Sequence, residues 1–176
     1  YKLPSYKSHQ GSDEALDLID APEGSPLPLG VYVGSESDER TQYTLASVNG
    51  AATRSESVEL DVQQGSVVAL DFTGSLPSGV IITKRVTLTG GSYLFKVDVT
   101  LNRPVASGQP VWLEWSHFYS SAIEKDLRIK HALTYLDDRN KIQQVQLDQI
   151  GEGVRDYGTS KWISFGDTYF TSTIIP

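Results

Sequence analysis

The chain has 176 residues with 15 Lys and Arg against 22 Asp and Glu, giving a net charge of −7, and its length suits one domain with its own core. Hydrophobic residues (39%) and charged residues (21%) occur at ordinary globular frequencies, which excludes a disordered tail or a coiled coil, and no apolar run approaches the roughly 20 residues of a membrane-spanning helix. The acidic balance, without a cluster of Lys and Arg, argues against nucleic acid as a partner, and the absence of Cys excludes disulfides and thiolate chemistry.

Residues 1–40 are predicted to form an irregular N-terminal arm. Four of them are proline, scattered among Ser, Gly and Asp, which disfavours regular structure. A single helical turn is predicted at 13–19, where apolar side chains would hold the arm against the body of the domain. Residues 41–176 are predicted to form the folded domain, rich in strands, because the chain is rich in Val, Ile and Thr, which fit a pleated sheet better than a helix.

Three strands are predicted in the first half of this domain. Residues 58–63 alternate between apolar and polar side chains, which indicates a strand with one buried face. Residues 67–72 are predicted to form a more buried strand, and a further strand is predicted at 80–88. The turn-forming residues 74–79 separate them.

The dipeptide Gly90-Gly91 is the clearest hairpin signal in the sequence, because glycine tolerates the positive φ of a tight turn. It joins the strand at 80–88 to a second strand predicted at 92–101. Five large side chains of this second strand fall on one face and are predicted to be core. They are Tyr93, Phe95, Val97, Val99 and Leu101.

Residues 111–119 are predicted to form a strand that is partly covered on both faces. One face carries Val111, Leu113, Trp115, His117 and Tyr119. The opposite face carries Trp112, Glu114, Ser116 and Phe118. A strand with large side chains on both faces is typical of the middle of a sandwich of two sheets.

The last third of the chain is also predicted to be mainly strands. A capping box at Ser121 indicates one helical turn. Residues 129–136 and 141–147 are predicted to form a hairpin with a polar tip, and short strands at 162–165 and 169–175 follow. Together these elements predict an all-β fold, a two-sheet antiparallel β-sandwich with little helix.

The sequence contains no recognisable catalytic, metal or cofactor motif. The three histidines, His9, His117 and His131, are too scattered for a metal site. Asp137 and Asp138 are adjacent in a predicted turn, whereas the paired carboxylates of a glycosidase stand on separate elements. The chain is therefore predicted not to be an enzyme and to bind neither metal nor cofactor.

The aromatic residues around position 112 allow two interpretations. Trp112, Glu114 and Phe118 share a face of their predicted strand and are candidate cleft residues, because aromatic rings beside a carboxylate suit a sugar, a lipid tail or an extended apolar peptide. In the second interpretation they are core residues, as Tyr93 and Phe95 are predicted to be.

Two stretches of the sequence carry a family resemblance. The stretch KWISFGDTYFTSTIIP, residues 161–176, has a Trp-containing strand, a polar residue, a Tyr-Phe pair and a closing Ile-Pro, and the stretch TKRVTLTGGSYLFKVDVTLNRP covers residues 83–104. In this order they resemble the large periplasmic domain of the YidC membrane protein insertases. The signature residues, interpreted as structural, are Lys84, Gly91, Tyr93, Val97, Asn102, Trp162, Asp167, Tyr169, Phe170, Ile175 and Pro176.

The resemblance implies an elongated β-supersandwich, which is related to mutarotase-like sugar-processing domains but lacks their catalytic residues. It also implies a position between the first two membrane spans of a membrane-anchored parent chain, facing the periplasm of the bacterial inner membrane. Family domains carry further strands on both sides of the matched region. The chain is therefore expected to be truncated at both ends relative to the family.

The function implied by the resemblance is that of a non-enzymatic periplasmic domain of an insertase. It would serve as a folded platform for contact with partners or nascent chains during membrane protein insertion. The implied partners are nascent membrane proteins and accessory subunits of the Sec translocon. Because missing strands would leave sheet edges unpaired, self-association of the fragment, or coverage of these edges by the N-terminal arm, is also predicted.

The alternative is a carbohydrate-binding or mutarotase-like β-sandwich module. Such a module would use Trp112 and Phe118 as an aromatic platform, with Glu114 or His117 as polar partner. A further alternative is a structural spacer that holds an anchoring helix away from the membrane core.

Overall fold

The computed structural model describes residues 2–7, 13, 15–17, 25, 28–53, 58–116, 132–146, 158–166 and 171–176. In this part of the chain all regular elements are β-strands, and all their pairings are antiparallel. The chain divides into two compact units, Tyr1–Phe118 and Tyr119–Pro176. The predicted all-β antiparallel fold is therefore confirmed.

The first unit contains three sheets in the described residues. The N-terminal hairpin pairs β1 (Lys2–Lys7) with β2 (Ala15–Asp17). The small sheet has the order β10–β3–β4, formed by Val111–Glu114, Gly30–Val33 and Glu36–Ser37. The large sheet has the order β6–β5–β7–β8–β9, formed by Ala51–Ala52, Thr44–Val48, Val67–Ser75, Ile81–Thr89 and Phe95–Leu101.

The second unit contains one four-stranded sheet in the described residues. Its order is β12–β11–β13–β14, formed by Ile142–Gln146, Ala132–Leu136, Trp162–Gly166 and Thr171–Ile174. At the tip of the β11–β12 hairpin, the Asp137 carboxylate accepts hydrogen bonds from the backbone N–H groups of Arg139 (3.0 Å) and Lys141 (2.8 Å). The predicted hairpin and the two predicted closing strands are confirmed.

The large sheet has an apolar face and a polar face, because side chains alternate along each strand. On β8, Ile82, Val86 and Leu88 point to the apolar face, where their cross-strand partners on β9 are Leu101, Val97 and Phe95. Thr83, Arg85 and Thr87 point to the other face. The strands predicted at 67–72 and 80–88 are confirmed, and β7 continues to Ser75.

The core lies between the small and the large sheet. Five hydrophobic residues are buried and form one cluster, Val31, Val33, Leu76, Val80 and Ile82. The first two belong to β3, and the others belong to β8 or to the turn that precedes it. The two sheets therefore pack face to face, which confirms the predicted β-sandwich.

A buried ion pair joins the two sheets beside this core. The Asp38 carboxylate accepts hydrogen bonds from the Val31 N–H (2.8 Å) and the Tyr43 hydroxyl (2.5 Å), and it pairs with the Lys84 ammonium at 2.5 Å. Lys84 also donates to the Leu29 carbonyl at 2.6 Å and lies 4.5 Å from the centre of the Tyr43 ring. Burial, followed by the hydrogen bond to Asp38, raises the pKa of Tyr43. Both charges are thus compensated inside the protein, as buried charges require.

We expect Lys84→Met to destabilise the first unit strongly. The substitution keeps most of the side-chain volume but leaves the Asp38 carboxylate, 2% exposed, without its counter-charge. Removing one partner of a buried pair costs about 3–5 kcal/mol of unfolding free energy. Urea unfolding measures this loss.

Lys96→Met is the matched control, because Lys96 also lies on the large sheet and pairs with Asp98 at 2.7 Å, but its side chain is 72% exposed. An exposed pair contributes about 0–1 kcal/mol. Equal losses for the two variants would contradict a structural role for the buried pair.

A second cluster of polar side chains lies on the opposite face of the large sheet and spans three of its strands. Asp71 receives two hydrogen bonds from Arg85, at 2.7 and 3.0 Å, and one from the Ser47 hydroxyl at 2.6 Å. These residues are direct cross-strand partners on β5, β7 and β8. The hydrogen bonds from Arg85, and then the one from Ser47, lower the pKa of Asp71 from its usual 3.8 to about 2. These side-chain hydrogen bonds therefore stabilise the sheet only while the Asp71 carboxylate is ionised.

The lowered pKa of Asp71 predicts a pH-dependent contribution to stability. Because the folded state favours the carboxylate, this contribution is fully present above the unfolded pKa near 3.8 and is lost as the pH falls towards 2. The difference in unfolding free energy between the wild type and Asp71→Asn should therefore narrow over that range. Urea titrations at a series of pH values measure it. Asp61→Asn, which removes an exposed carboxylate, serves as control, and a difference for Asp71→Asn that stays constant with pH would contradict the prediction.

The strand predicted at 58–63 is wrong, because the structure places these residues outside any strand. Their backbone instead crosses the end of the β8–β9 hairpin, where a Cβ atom on Gly90 would lie 2.0 Å from the Gln63 carbonyl oxygen. The Gly90 N–H donates to the Ser66 carbonyl, and the Gly65 N–H donates to the Gly90 carbonyl, both at 2.9 Å. The sequence alternates as a strand would, but the segment has no neighbouring strand in the described residues.

The first 40 residues are more regular than the sequence suggests. Strands β1 to β4 lie within them, and the helical turn predicted at 13–19 is wrong, since Ala15–Asp17 is a strand. Proline at position 4 does not prevent β1, because an edge strand tolerates a missing N–H donor. The described strands thus begin well before residue 41.

The hairpin predicted at Gly90-Gly91 is confirmed, but its second strand begins later than predicted. Gly91 has a φ of 79°, and β9 starts at Phe95 rather than at residue 92. Tyr93 is 81% exposed and Phe95 47% exposed, so their prediction as core residues is wrong. They lie at the turn end of the hairpin, whereas Val99 and Leu101 pack against the core.

The strand predicted at 111–119 is shorter and less covered than expected. β10 ends at Glu114, and it lies at the edge of the small sheet in the described part of the chain. The positions 117–131, including the predicted helical turn at Ser121, lie outside the described residues. The predicted position in the middle of a sandwich is wrong for the described part of this strand, because β10 is an edge strand there and Val111 and Trp112 are each 45% exposed.

Candidate functional site

The best candidate for a binding site is an aromatic platform on the outer face of the small sheet. Trp112 on β10 is the cross-strand partner of Tyr32 on β3. Their rings stack with centroids 5.2 Å apart and an interplanar angle of 14°. The stack exists because both residues alternate with buried or inward-facing neighbours, which turns the two aromatic rings to the same outer face. We call this pair the Tyr32–Trp112 platform.

Two carboxylates stand at the edge of the platform. The Tyr32 hydroxyl donates a hydrogen bond to Glu39 at 2.5 Å, and Glu114 follows Trp112 by two residues on the same face of β10. Glu39 and then Glu114 raise the pKa of Tyr32, because the neutral phenol donates to carboxylates that would repel a phenolate. A phenol has one proton to donate, and the Tyr32 hydroxyl donates it to Glu39. The Ser116 hydroxyl gives Glu114 a further hydrogen bond at 2.7 Å.

Within the described ranges, neither carboxylate has a cationic partner. In the part of the chain that the structure describes, no Lys or Arg lies within ion-pair distance of Glu39 or Glu114. This distinguishes them from Asp38, Asp71 and Asp98, which pair with a Lys or an Arg. The platform therefore combines an exposed aromatic surface with uncompensated negative charge, which suits binding of a ligand rather than a reaction.

A polar cleft of about 680 Å³ lies in the same unit. It is lined mainly by hydroxyl, amide and charged side chains, among them Glu39, Arg40, Gln42 and Thr73. Glu39 therefore contributes both to this cleft and to the platform. Leu76, Pro77 and Ile81 also line it, so the cleft combines polar and apolar surface.

The structure places two of the three predicted cleft residues. Trp112 is half-exposed and Glu114 half-buried on the outer face of β10, so Trp112 is not a core residue. Phe118 lies outside the described residues. Sequence reasoning missed Tyr32 and Glu39, because they come from a segment expected to be irregular and meet β10 only through long-range pairing.

The signature residues occupy varied positions. Lys84 forms the buried ion pair, Gly91 adopts the positive φ of the hairpin turn, and Tyr93 is exposed. Trp162 is half-buried in β13, and Pro176 is exposed at the end of the chain. The remaining aromatic and acidic residues of the C-terminal signature, Asp167, Tyr169 and Phe170, lie outside the described residues.

Among the described residues, no group of three or more His, Cys, Asp or Glu side chains could hold a metal ion. His9, His117 and His131 lie outside them. The described residues also contain no helix that is long and apolar enough to span a membrane.

We expect Glu39→Gln to lower the pKa of Tyr32 towards the usual value for tyrosine. Glu39 is the largest contributor to the raised pKa, and its amide variant removes a charge that opposes the phenolate. A pH titration of the Tyr32 ring carbon by NMR, in a protein labelled with ¹³C-tyrosine, measures the change. Glu59→Gln, a change at an exposed position, serves as control. An unaltered Tyr32 titration in Glu39→Gln would show that Glu39 does not hold this hydroxyl in solution.

The comparisons with known sequences agree with one another. The family described as YidC periplasmic domain matches residues 1–176. A curated relative from Pelobacter propionicus, named membrane protein insertase YidC, is 25% identical over 177 residues, covering 96% of this chain and 33% of the relative. The chain therefore spans about a third of the length of that relative. No solved structure matches.

Proposed function

The chain belongs to the YidC periplasmic domain family, and we propose that it serves as the periplasmic domain of a membrane protein insertase. The observation that carries this proposal is the match of the family over residues 1–176, the whole length of the chain. The relative named as an insertase aligns with 96% of the chain and supports the same conclusion. The parent chain would be anchored in the bacterial inner membrane, with this domain on its periplasmic side.

The proposed role is that of a folded platform rather than an enzyme. The strongest cluster of polar groups, around Asp38 and Lys84, is buried and satisfied by its own members, so it has no free group to offer a substrate. The exposed polar groups around Tyr32 are arranged for binding. Nascent membrane proteins are the proposed clients, and accessory subunits of the Sec translocon are proposed as further partners.

The net charge is compatible with this role. At −7 the chain is repelled by anionic lipid headgroups, which would keep the domain in solution above the membrane surface. Such a domain stays available to polypeptides that emerge from the membrane. A strongly basic domain would instead be drawn onto the lipid.

Cell fractionation tests the proposed location. An antibody raised against this chain should detect a large antigen that remains in carbonate-washed membranes and is cleaved by protease added to the periplasmic face. A cytoplasmic protein of known location serves as control for the integrity of the inner membrane. A soluble antigen near 19.3 kDa, the mass of this chain, would overturn the proposal.

A further inference from the structure

We propose that β10 and the Tyr32–Trp112 platform bind an extended polypeptide segment that carries Arg or Lys. The segment would pair with the outer edge of β10 and place a basic side chain over the platform. The inference deepens the proposed function by naming the chemistry of the partner, and it rests on that function only for the source of the segment.

The first argument is the state of the β10 edge. In the described residues β10 pairs with β3 alone, so its other edge has backbone N–H and C=O groups without a strand partner. Val111, Trp112 and Leu113 are 45%, 45% and 40% exposed. An exposed apolar edge of this kind is a template for an added strand.

The second argument is that both faces of β10 would gain contacts from an added strand. Val111 and Leu113 are the cross-strand partners of the core residues Val33 and Val31, yet they remain exposed because no strand lies beyond them in the described residues. Trp112 and Glu114 face the other way. A neighbouring strand would therefore cover apolar side chains on the inner face and meet the platform on the outer face.

The third argument is charge. The Tyr32 hydroxyl donates to Glu39, and Glu114 stands beside Trp112 on the same face of β10. Among the described residues neither carboxylate has a cation within ion-pair distance, whereas Asp38, Asp71 and Asp98 are each paired with one. A guanidinium can pair with carboxylates and stack on an indole at the same time. A basic side chain is thus the group that completes both parts of the site. An acidic segment would be repelled.

A peptide-binding assay tests this inference with the 176-residue chain. The probe is a fluorescein-labelled peptide of about six residues, the length of an average strand, with alternating Val and Arg. Fluorescence anisotropy should show saturable binding that weakens as NaCl screens the charges. The same peptide with citrulline in place of Arg keeps the shape without the charge, and it should bind about tenfold more weakly.

Variants of the chain locate the site. Trp112→Ala and Glu114→Gln should each weaken binding of the Arg peptide by about tenfold. Glu114→Gln preserves the side-chain shape, so it tests the site even where Trp112→Ala disturbs the fold. Tyr93→Ala removes an aromatic ring that is 81% exposed in the β8–β9 hairpin and should leave binding unchanged.

Peptide chemistry tests the added strand itself. Only alternate N–H groups of an edge peptide point towards its neighbour. N-methylation of one alternate set should therefore abolish binding, and methylation of the other set should preserve it. Equal effects of the two sets would contradict strand addition.

Three results would overturn the inference: no binding, equal binding of the Arg and citrulline peptides, or binding that neither Trp112→Ala nor Glu114→Gln weakens. Saturable binding of sugars alone, lost in Trp112→Ala, would assign the platform to a carbohydrate instead. These failures are distinct from failure of the proposed function, because the location of the parent chain is measured in cells without any peptide.

Discussion

The buried pair of Asp38 and Lys84 is the interaction on which the arrangement of the first unit depends. It joins the small sheet to the large one, and its cost of desolvation is offset only because further donors and acceptors surround it. One of these acceptors is the carbonyl of Leu29, which precedes β3 and has a φ of 69°. Such a conformation is unfavourable for leucine by about 1–2 kcal/mol. Leu29 adopts this conformation at the point where its carbonyl accepts the hydrogen bond from Lys84. This indicates that the interactions around the ion pair, rather than the conformational preference of leucine, determine the backbone path into β3.

The same network positions the platform on the surface. Val31 and Asp38 face inwards and are joined by a hydrogen bond, while their chain neighbours Tyr32 and Glu39 face outwards and are joined by another. The two contacts lie on opposite sides of one small sheet. Any change that releases Asp38 would therefore also displace Glu39 from the Tyr32 hydroxyl, which links the stability of the core to the geometry of the candidate site.

Local patterns predicted the hairpins well, and long-range pairing accounts for most of what they missed. The β8–β9 and β11–β12 hairpins follow from turn residues and alternation within about 20 residues, so the sequence contains their cause. Alternation at 58–63 is equally clear, but a strand needs a neighbour, and neighbours are a property of the whole fold. Trp112 and Glu114 could be singled out as cleft candidates from one strand. Their partner Tyr32 lies some 80 residues earlier and becomes visible only through the β3–β10 pairing.

Four carboxylates of the first unit fall into two groups, according to whether a cation among the described residues compensates their negative charge. Asp38 and Asp71 have a cation and hydrogen-bond donors within the protein, so any further ligand would have to displace an internal partner. Glu39 and Glu114 have neutral donors only, among the described residues, and stand beside an exposed indole. Adding a cation there breaks no contact and compensates two charges at once. The candidate binding site of this sandwich is therefore the place where the edge of the small sheet coincides with carboxylates that have no cation among the described residues.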